Sequence, residues 1–345
     1  MSSRHALLIL LLATMAWSQQ ASTPQPLSPS PAAPASPSYE DVHALLGQGN
    51  YDEAIARLQS LAAARPAPKE LSREFGAAYY KKGDYLKAID SLNAAIAEDP
   101  ADNESVQLLG LSNYLAGRPA QAIPYLEKVQ SWMPRANVDA SYILGVCYIQ
   151  SRDYPKARAA FARMFDVPAD SAAGYLFTAR MLFRQEFDPI AEEHALKAVA
   201  LDPKLPGAHQ LLGELYLYKS RIPEAIEQFQ KEIALSPANP ATYYKLADAY
   251  SRVQKYDDAE RLLQRSIWLD SSSTGPFILL GKVLEKKGEF ELAVRALRRA
   301  AAMDPNNPMT HHLLGQTYRD MGRKEDADTE LKLAEELTSR QKAQP

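Results

Sequence analysis

One residue type recurs at a fixed step through most of this chain. Ala54, Ala88, Ala122, Ala157, Ala191, Ala225, Ala259, Ala293 and Ala327 follow one another every 34 residues, apart from one 35-residue step between Ala122 and Ala157. An alanine-rich chain produces a few such coincidences by chance, so the neighbouring columns decide. Twelve residues before the alanine stand Gly76, Gly110, Gly145, Gly213, Gly281 and Gly315, with Val42, Ala179 and Ala247 in the other units. One residue earlier come Leu109, Leu144, Leu212, Leu246, Leu280 and Leu314. Nine before the alanine are Tyr79, Tyr148, Tyr216, Tyr250 and Tyr318, and four after it Leu58, Leu92, Leu126, Phe161, Phe229, Leu263, Leu297 and Leu331. Twelve after it are Pro66, Pro100, Pro134, Pro203, Pro237 and Pro305.

These offsets have a physical reading. Leu, Gly and Tyr at relative spacings of one and three to four make one stripe on a first helix. The alanine and the large apolar residue four later make a second stripe on a second helix. Small residues at glycine and alanine positions let the two helices cross closely. Turn pairs such as Gly83-Asp84, Gly117-Arg118 and Gly288-Glu289 separate the stripes. Pro119, Pro155, Pro189 and Pro223 fall in the first turn of second helices, where a missing amide donor costs little. The proline column then closes each unit, because proline disfavours helix in the residue before it.

The pattern resembles the tetratricopeptide repeat (TPR), a 34-residue helix-turn-helix with these Leu-Gly, Tyr, Ala, Phe or Leu and Pro columns. The resemblance implies an all-α fold: a right-handed α-solenoid of about nine stacked TPR hairpins. They would occupy residues 39–341, in units of approximately 35–68, 69–102, 103–137, 138–171, 172–205, 206–239, 240–273, 274–307 and 308–341. The fifth unit departs from the pattern with Thr178-Ala179 and with Glu186-Phe187-Asp188-Pro189 at its turn; the seventh ends in Ser271-Ser272-Ser273. Looser stacking is expected near both. The charged last helix, Lys324 to about Gln341, suits a solvent-facing cap.

Ahead of the array, Arg4, the apolar run Ala6 to Trp17 and the small residues of Ala16-Trp17-Ser18 read as an export signal over residues 1–18. That run is shorter than the roughly twenty residues a membrane span needs. Residues 19–38, rich in Pro, Ser and Ala and free of charge, read as a flexible tether. The expected location is therefore secreted or periplasmic. The lack of disulfides, with Cys147 alone, favours a bacterial periplasm. A formal net charge of −3 gives no broad attraction for nucleic acid.

Catalytic constellations are scarce. Gly47-Gln48-Gly49 sits in the first hairpin turn rather than after a strand, so it is no phosphate loop. His311-His312 diverge by about 100° on a helix and have no third ligand at metal spacing. Glu192-Glu193-His194 near a helix start reads as favourable helix electrostatics. No enzyme activity, cofactor or metal is expected, and Cys147 reads as a small buried apolar residue.

By the resemblance, first helices line an extended concave surface through the residues fifteen, eleven and eight before each alanine. In units two to five these, with Arg184, give Arg73, Tyr80, Gln107, Leu111, Tyr114, Tyr142, Val146, Ile149, Leu176, Arg180 and Phe183. This aromatic and aliphatic stripe with arginines beside it is the expected site for a peptide or helix of another polypeptide. No asparagine lies in the set, which argues against the family's carboxylate clamp. The alternative is a self-associating array, its groove filled by the Pro-rich segment or a second copy. The packing reading carries its own test. A larger side chain at Ala225 should overpack the helix crossing and lower stability by about 1–3 kcal/mol in chemical denaturation.

Overall fold

A computed structural model describes residues 39–64, 68–132 and 138–343. The export signal, the tether and two members of the proline column, Pro66 and Pro134, lie outside the described residues. Among the described residues every regular element is a helix, and the helices form nine hairpins. The first compact unit contains α1 (Glu40–Gly47) and α2 (Tyr51–Ala62). The second begins at Lys69 and contains α3 (Leu71–Lys82), α4 (Tyr85–Glu98), α5 (Asn103–Leu115) and α6 (Pro119–Trp132). It continues with α7 (Val138–Gln150), α8 (Tyr154–Met164), α9 (Ala172–Arg184), α10 (Asp188–Leu201), α11 (Ala208–Tyr218) and α12 (Ile222–Leu235). It ends with α13 (Pro240–Arg252), α14 (Tyr256–Leu269), α15 (Thr274–Lys286), α16 (Phe290–Met303), α17 (Pro308–Asp320) and α18 (Lys324–Ala343).

Local chemistry starts these helices. Asp84, Asp102, Asp153, Ser171, Asn239 and Asn307 accept hydrogen bonds from backbone N–H groups of the turn they precede. Pro119, Pro155, Pro189 and Pro223 do stand in first turns. α11 is capped from elsewhere. Glu232, buried in α12 at a position held by alanine in several other hairpins, accepts the N–H groups of Gly207 at 2.8 Å and Gln210 at 3.2 Å. A buried carboxylate is tolerable there because two backbone donors and the positive helix end compensate it.

The interior follows the columns. The column alanines from Ala54 to Ala293 are wholly buried, as are Leu58, Leu92, Leu126, Phe161, Phe229, Leu263 and Leu297 four residues later. Each large residue fills the notch opposite the small residue of the first helix. A Cβ on Gly213 would lie 2.6 Å from Phe229, so the ring occupies the space a side chain would need. The fifth hairpin changes both partners together. Ala179 replaces the glycine and Ala195 the large apolar residue, and both are fully buried. Within the second unit, contacts of α8 with α9 and of α10 with α11 are the thinnest between consecutive hairpins, in line with the looser packing expected there. Around the seventh hairpin, α14 and α15 touch as extensively as their counterparts, so the missing proline costs no contact.

Within the second unit, first helices also touch first helices of the next hairpin: α3 meets α5, α9 meets α11, α13 meets α15 and α15 meets α17. Consecutive second helices do not approach to that extent. The first helices therefore lie on the closely spaced, inner side of the stack. A further regularity was not visible in the columns. All five tyrosines of the Tyr column carry a cation over the ring (Lys87, Lys156, Arg221, Lys255 and Arg323), at 4.2–5.7 Å from the ring centre.

Every hairpin turn places the residue five before the alanine in the left-handed region. Glycine fills it in five hairpins, but Arg152, Glu186, Ser220 and Gln254 hold φ of 58–64° in four successive ones. Such a conformation costs a residue with a Cβ about 1–2 kcal/mol. Glycine relieves this at some expense in unfolded-chain entropy. Arg152→Gly, Glu186→Gly, Ser220→Gly and Gln254→Gly should each stabilise the array by about 0.5–1 kcal/mol. Urea denaturation midpoints check this; unchanged or lower midpoints would contradict it.

Candidate functional site

The inner side is built from the first helices, and the structure sorts the residues the sequence placed there. Val146, Ile149 and Leu176 are 0%, 0% and 4% exposed and belong to the largest hydrophobic core cluster. They are therefore corrected from surface residues to packing residues. The physical reason is position: α7 lies in the middle of the stack, and nearly all of its described side chains are buried against neighbouring helices. Leu217 on α11 is likewise core.

Others are half-buried and present an edge. Tyr80 packs at a tilt against Tyr85, with ring centres 6.1 Å apart. Leu111, Tyr114 and Tyr142 lie against the core cluster, and Tyr142 tilts over Phe161 at 6.4 Å. Gln107 is half-buried on α5. Arg73 is not free. Partial burial alone would lower its pKa, but Glu70, Asp102, Glu104 and Glu74 outweigh that and raise it. It pairs with Glu70 and lies 3.5 Å from Glu74 and 3.9 Å from Glu104. Arg73 is thus neutralised by its own neighbourhood.

α9 differs. Arg180 and Arg184 are exposed, and among the described residues neither meets a carboxylate within ion-pair distance. Between them Phe183 is half-buried and receives the edge of Tyr218 from α11, with ring centres 5.7 Å apart. Tyr218 is 64% exposed. Sequence reasoning missed it, because it lies one residue past the column that was read; a tyrosine following the buried Leu217 was the available signal. Two uncompensated guanidiniums beside an exposed edge-to-face aromatic pair can take up a carboxylate and an apolar group at once. Further along, Gln210 donates to Glu214 and accepts from Asn239 and Thr242, so that polar cluster is internally satisfied.

The histidines have structural partners. His311 Nδ1 lies 2.6 Å from Glu330 and Nε2 lies 2.9 Å from the Pro305 carbonyl. The sequence spacing showed no carboxylate near this histidine because Glu330 arrives from α18, across the hairpin. His209 repeats the arrangement, with Gln228 at 2.7 Å and the Pro203 carbonyl at 3.2 Å. Glu192 pairs with Lys219 and Arg221 at 2.5 and 2.8 Å. Among the described residues, no three or more His, Cys, Asp or Glu side chains gather where they could hold a metal ion. No described helix is long and apolar enough to cross a membrane.

Family models described as tetratricopeptide repeat match residues 39–103, 74–136, 114–180, 242–276 and 310–340. One described as TPR repeat matches 213–254 and 281–322. Solved structures with a similar fold include MamA, 23% identical, covering 47% of this chain and 95% of that one, at a TM-score of 0.45. YrrB, titled a TPR protein with an unusual peptide-binding site, is 23% identical over 52% of this chain and 93% of its own, at 0.45. The Cut9–Hcn1 assembly of the APC/C is 19% identical over 77% of this chain and 52% of its own, at 0.46. No curated protein sequence matches this one.

Cys147 lies on α7 next to the candidate residue Val146 and is fully buried. Burial pushes its thiol up from the usual 9.0 to about 12. Burial, with smaller contributions from Tyr142 and Cys147, likewise raises Tyr114 to about 12. In each case the folded chain keeps a proton that the unfolded chain releases first. Stability is therefore full below about pH 9 and falls as pH rises towards 12. Melting temperatures recorded from pH 8 to 12 should be level to about pH 9 and decline above it. At pH 8, the thiol should resist a maleimide in the folded chain and react once urea unfolds it.

Proposed function

We propose that this chain, which belongs to the tetratricopeptide repeat family, is a protein-interaction scaffold that holds a peptide or helix of another polypeptide along the inner side of its second to fifth hairpins. The observation that carries this reading is the α9 face. Arg180 and Arg184 stand exposed without acidic partners beside Phe183, and Tyr218 contributes an aromatic ring from the next first helix. Arg73 and Arg252 on that side are, by contrast, paired within the chain. Tyr80, Leu111, Tyr114 and Tyr142 extend the surface as half-buried apolar edges. Arginine and tyrosine dominate binding energies when such contacts are desolvated. The scaffold is proposed to act outside the cytoplasm, in the periplasm or as a secreted protein. That location is supported by Arg4 followed by the apolar run to Trp17.

Peptides selected from a random library against the full chain provide the probe. Arg180→Glu with Arg184→Glu should weaken a selected peptide by about tenfold or more, and Tyr114→Ser with Tyr218→Ser by a similar factor. Circular dichroism should show the array intact. Unchanged affinity in both variants would sink the assignment. Sedimentation of the full chain against one starting at Tyr39 tests self-occupancy, which predicts that the shorter chain changes its oligomeric state.

A further inference from the structure

The repeat supplies its own control for the outward face of the second helices. Three positions on that face recur in every hairpin, at two, six and nine residues after the column alanine. In the fifth and sixth hairpins the first two are Glu193 with Lys197 and Glu227 with Lys231. Lys231 Nζ lies 2.6 Å from Glu227, a pair four residues apart that neutralises itself. In the seventh and eighth hairpins both positions are arginine: Arg261 and Arg265 on α14, Arg295 and Arg299 on α16. All four are exposed. Residues four apart rise about 6 Å along a helix. Equivalent positions on two successive second helices therefore place the four arginines on the same face of α14 and α16.

Little within the chain neutralises these arginines. Arg261 pairs with Asp258, but among the described residues the other three meet no carboxylate. The remaining acids of α14 are turned away: Asp257 and Glu260 lie 2.9 and 2.5 Å from Lys287. Glu291 stands four residues before Arg295 without forming an ion pair with it.

The third position sharpens the departure. It is alanine in the fifth, sixth and eighth hairpins (Ala200, Ala234 and Ala302), so the fold requires no bulk there. In the seventh it is Trp268, 71% exposed. The Arg265 guanidinium lies 4.3 Å from the centre of that indole and 6.0 Å from the Tyr243 ring. Leu292 is 43% exposed on the same face of α16. Neither the helix crossings nor the inner side makes use of these side chains.

We propose that the outward face of α14 and α16 is a second docking surface, whose partner is an acidic polypeptide segment carrying an apolar residue. Charge complementarity selects the acid, since the arginines lack counter-charges that the same positions have elsewhere in this chain. A guanidinium resting over an indole, as Arg265 does over Trp268, makes no hydrogen bond to the ring and leaves its fork of N–H donors available for bidentate capture of carboxylates. Trp268 provides the desolvated anchor that surface ion pairs need to become strong. A bilayer fits less well. Interfacial helices present a broad apolar face, whereas here the small Ala302 and the guanidiniums surround two apolar side chains.

The test uses the full chain and a synthetic peptide of about twelve residues, glutamate-rich with one central phenylalanine and no tryptophan. Binding is followed by calorimetry and by tryptophan emission. The expected result is a blue shift as Trp268 is covered. Arg265→Glu with Arg299→Glu should weaken binding by about tenfold or more, and Trp268→Ala should weaken it similarly and remove the shift. Lys231→Glu, at the equivalent position of the sixth hairpin, should leave the peptide's affinity unchanged. All these residues are exposed, and melting curves should confirm that each variant folds. The proposal is overturned if the peptide does not bind, if the α14 and α16 variants bind it as well as the parent does, or if phosphatidylglycerol vesicles bind and the peptide does not.

Discussion

Most of the hairpins depend on one contact, a large apolar side chain of the second helix seated where the first helix has almost no side chain. Gly213 against Phe229 is a representative case: the ring lies where a Cβ would otherwise project. Interior packing at crystal-like density means that a change in one partner must be taken up by the other or by a shift of the helices. The fifth hairpin shows the rule by its compensation. Ala179 and Ala195 together replace the small and large partners, and both stay fully buried. The smaller pair leaves α9 and α10 in extensive contact with each other, while their contacts with the adjacent hairpins are thinner.

Because the crossing occupies the same few positions in every hairpin, the remaining positions are free to vary, and their variation is informative. On the inner side, Arg73 is absorbed by Glu70, Glu74 and Glu104, whereas among the described residues Arg180 and Arg184 form no ion pair. On the outer side, Glu227 and Lys231 satisfy each other, whereas among the described residues Arg295 and Arg299 form no ion pair. A repeat protein thus carries an internal reference for its own surface: a charge or ring that one hairpin has and its siblings lack is not required by packing. The four non-glycine turns belong to the same class of departure. Arg152, Glu186, Ser220 and Gln254 accept a left-handed backbone because the flanking helices, seated on their crossings, impose it.

The candidate site was only partly legible in the sequence. A residue eight, eleven or fifteen before the alanine was assigned to the inner surface by its place in the repeat; Arg180 is exposed and Phe183 and Tyr114 are half-buried. It did not serve for Val146, Ile149 and Leu176, which are wholly or almost wholly buried. Position in a repeat gives a direction around the helix axis, but exposure depends on what neighbouring helices bring to that direction. Partners distant in sequence were equally invisible. Glu330 reaches His311 across α17 and α18, and Glu232 caps α11 from α12.

From sequence alone, the alanine, glycine, tyrosine and proline columns determined an all-helical array of hairpins, where each turn falls and which side chains are buried at each crossing. Those properties are local, repeating every 34 residues, and each needs only a helical period and a pair of matched volumes to be read. The tertiary structure alone decided which nominal surface residues are truly exposed, which charges are already neutralised and where aromatic rings stand uncovered. Burial and ion pairing are sums over all neighbours, including those from other helices, and a column in a repeat records only one of them.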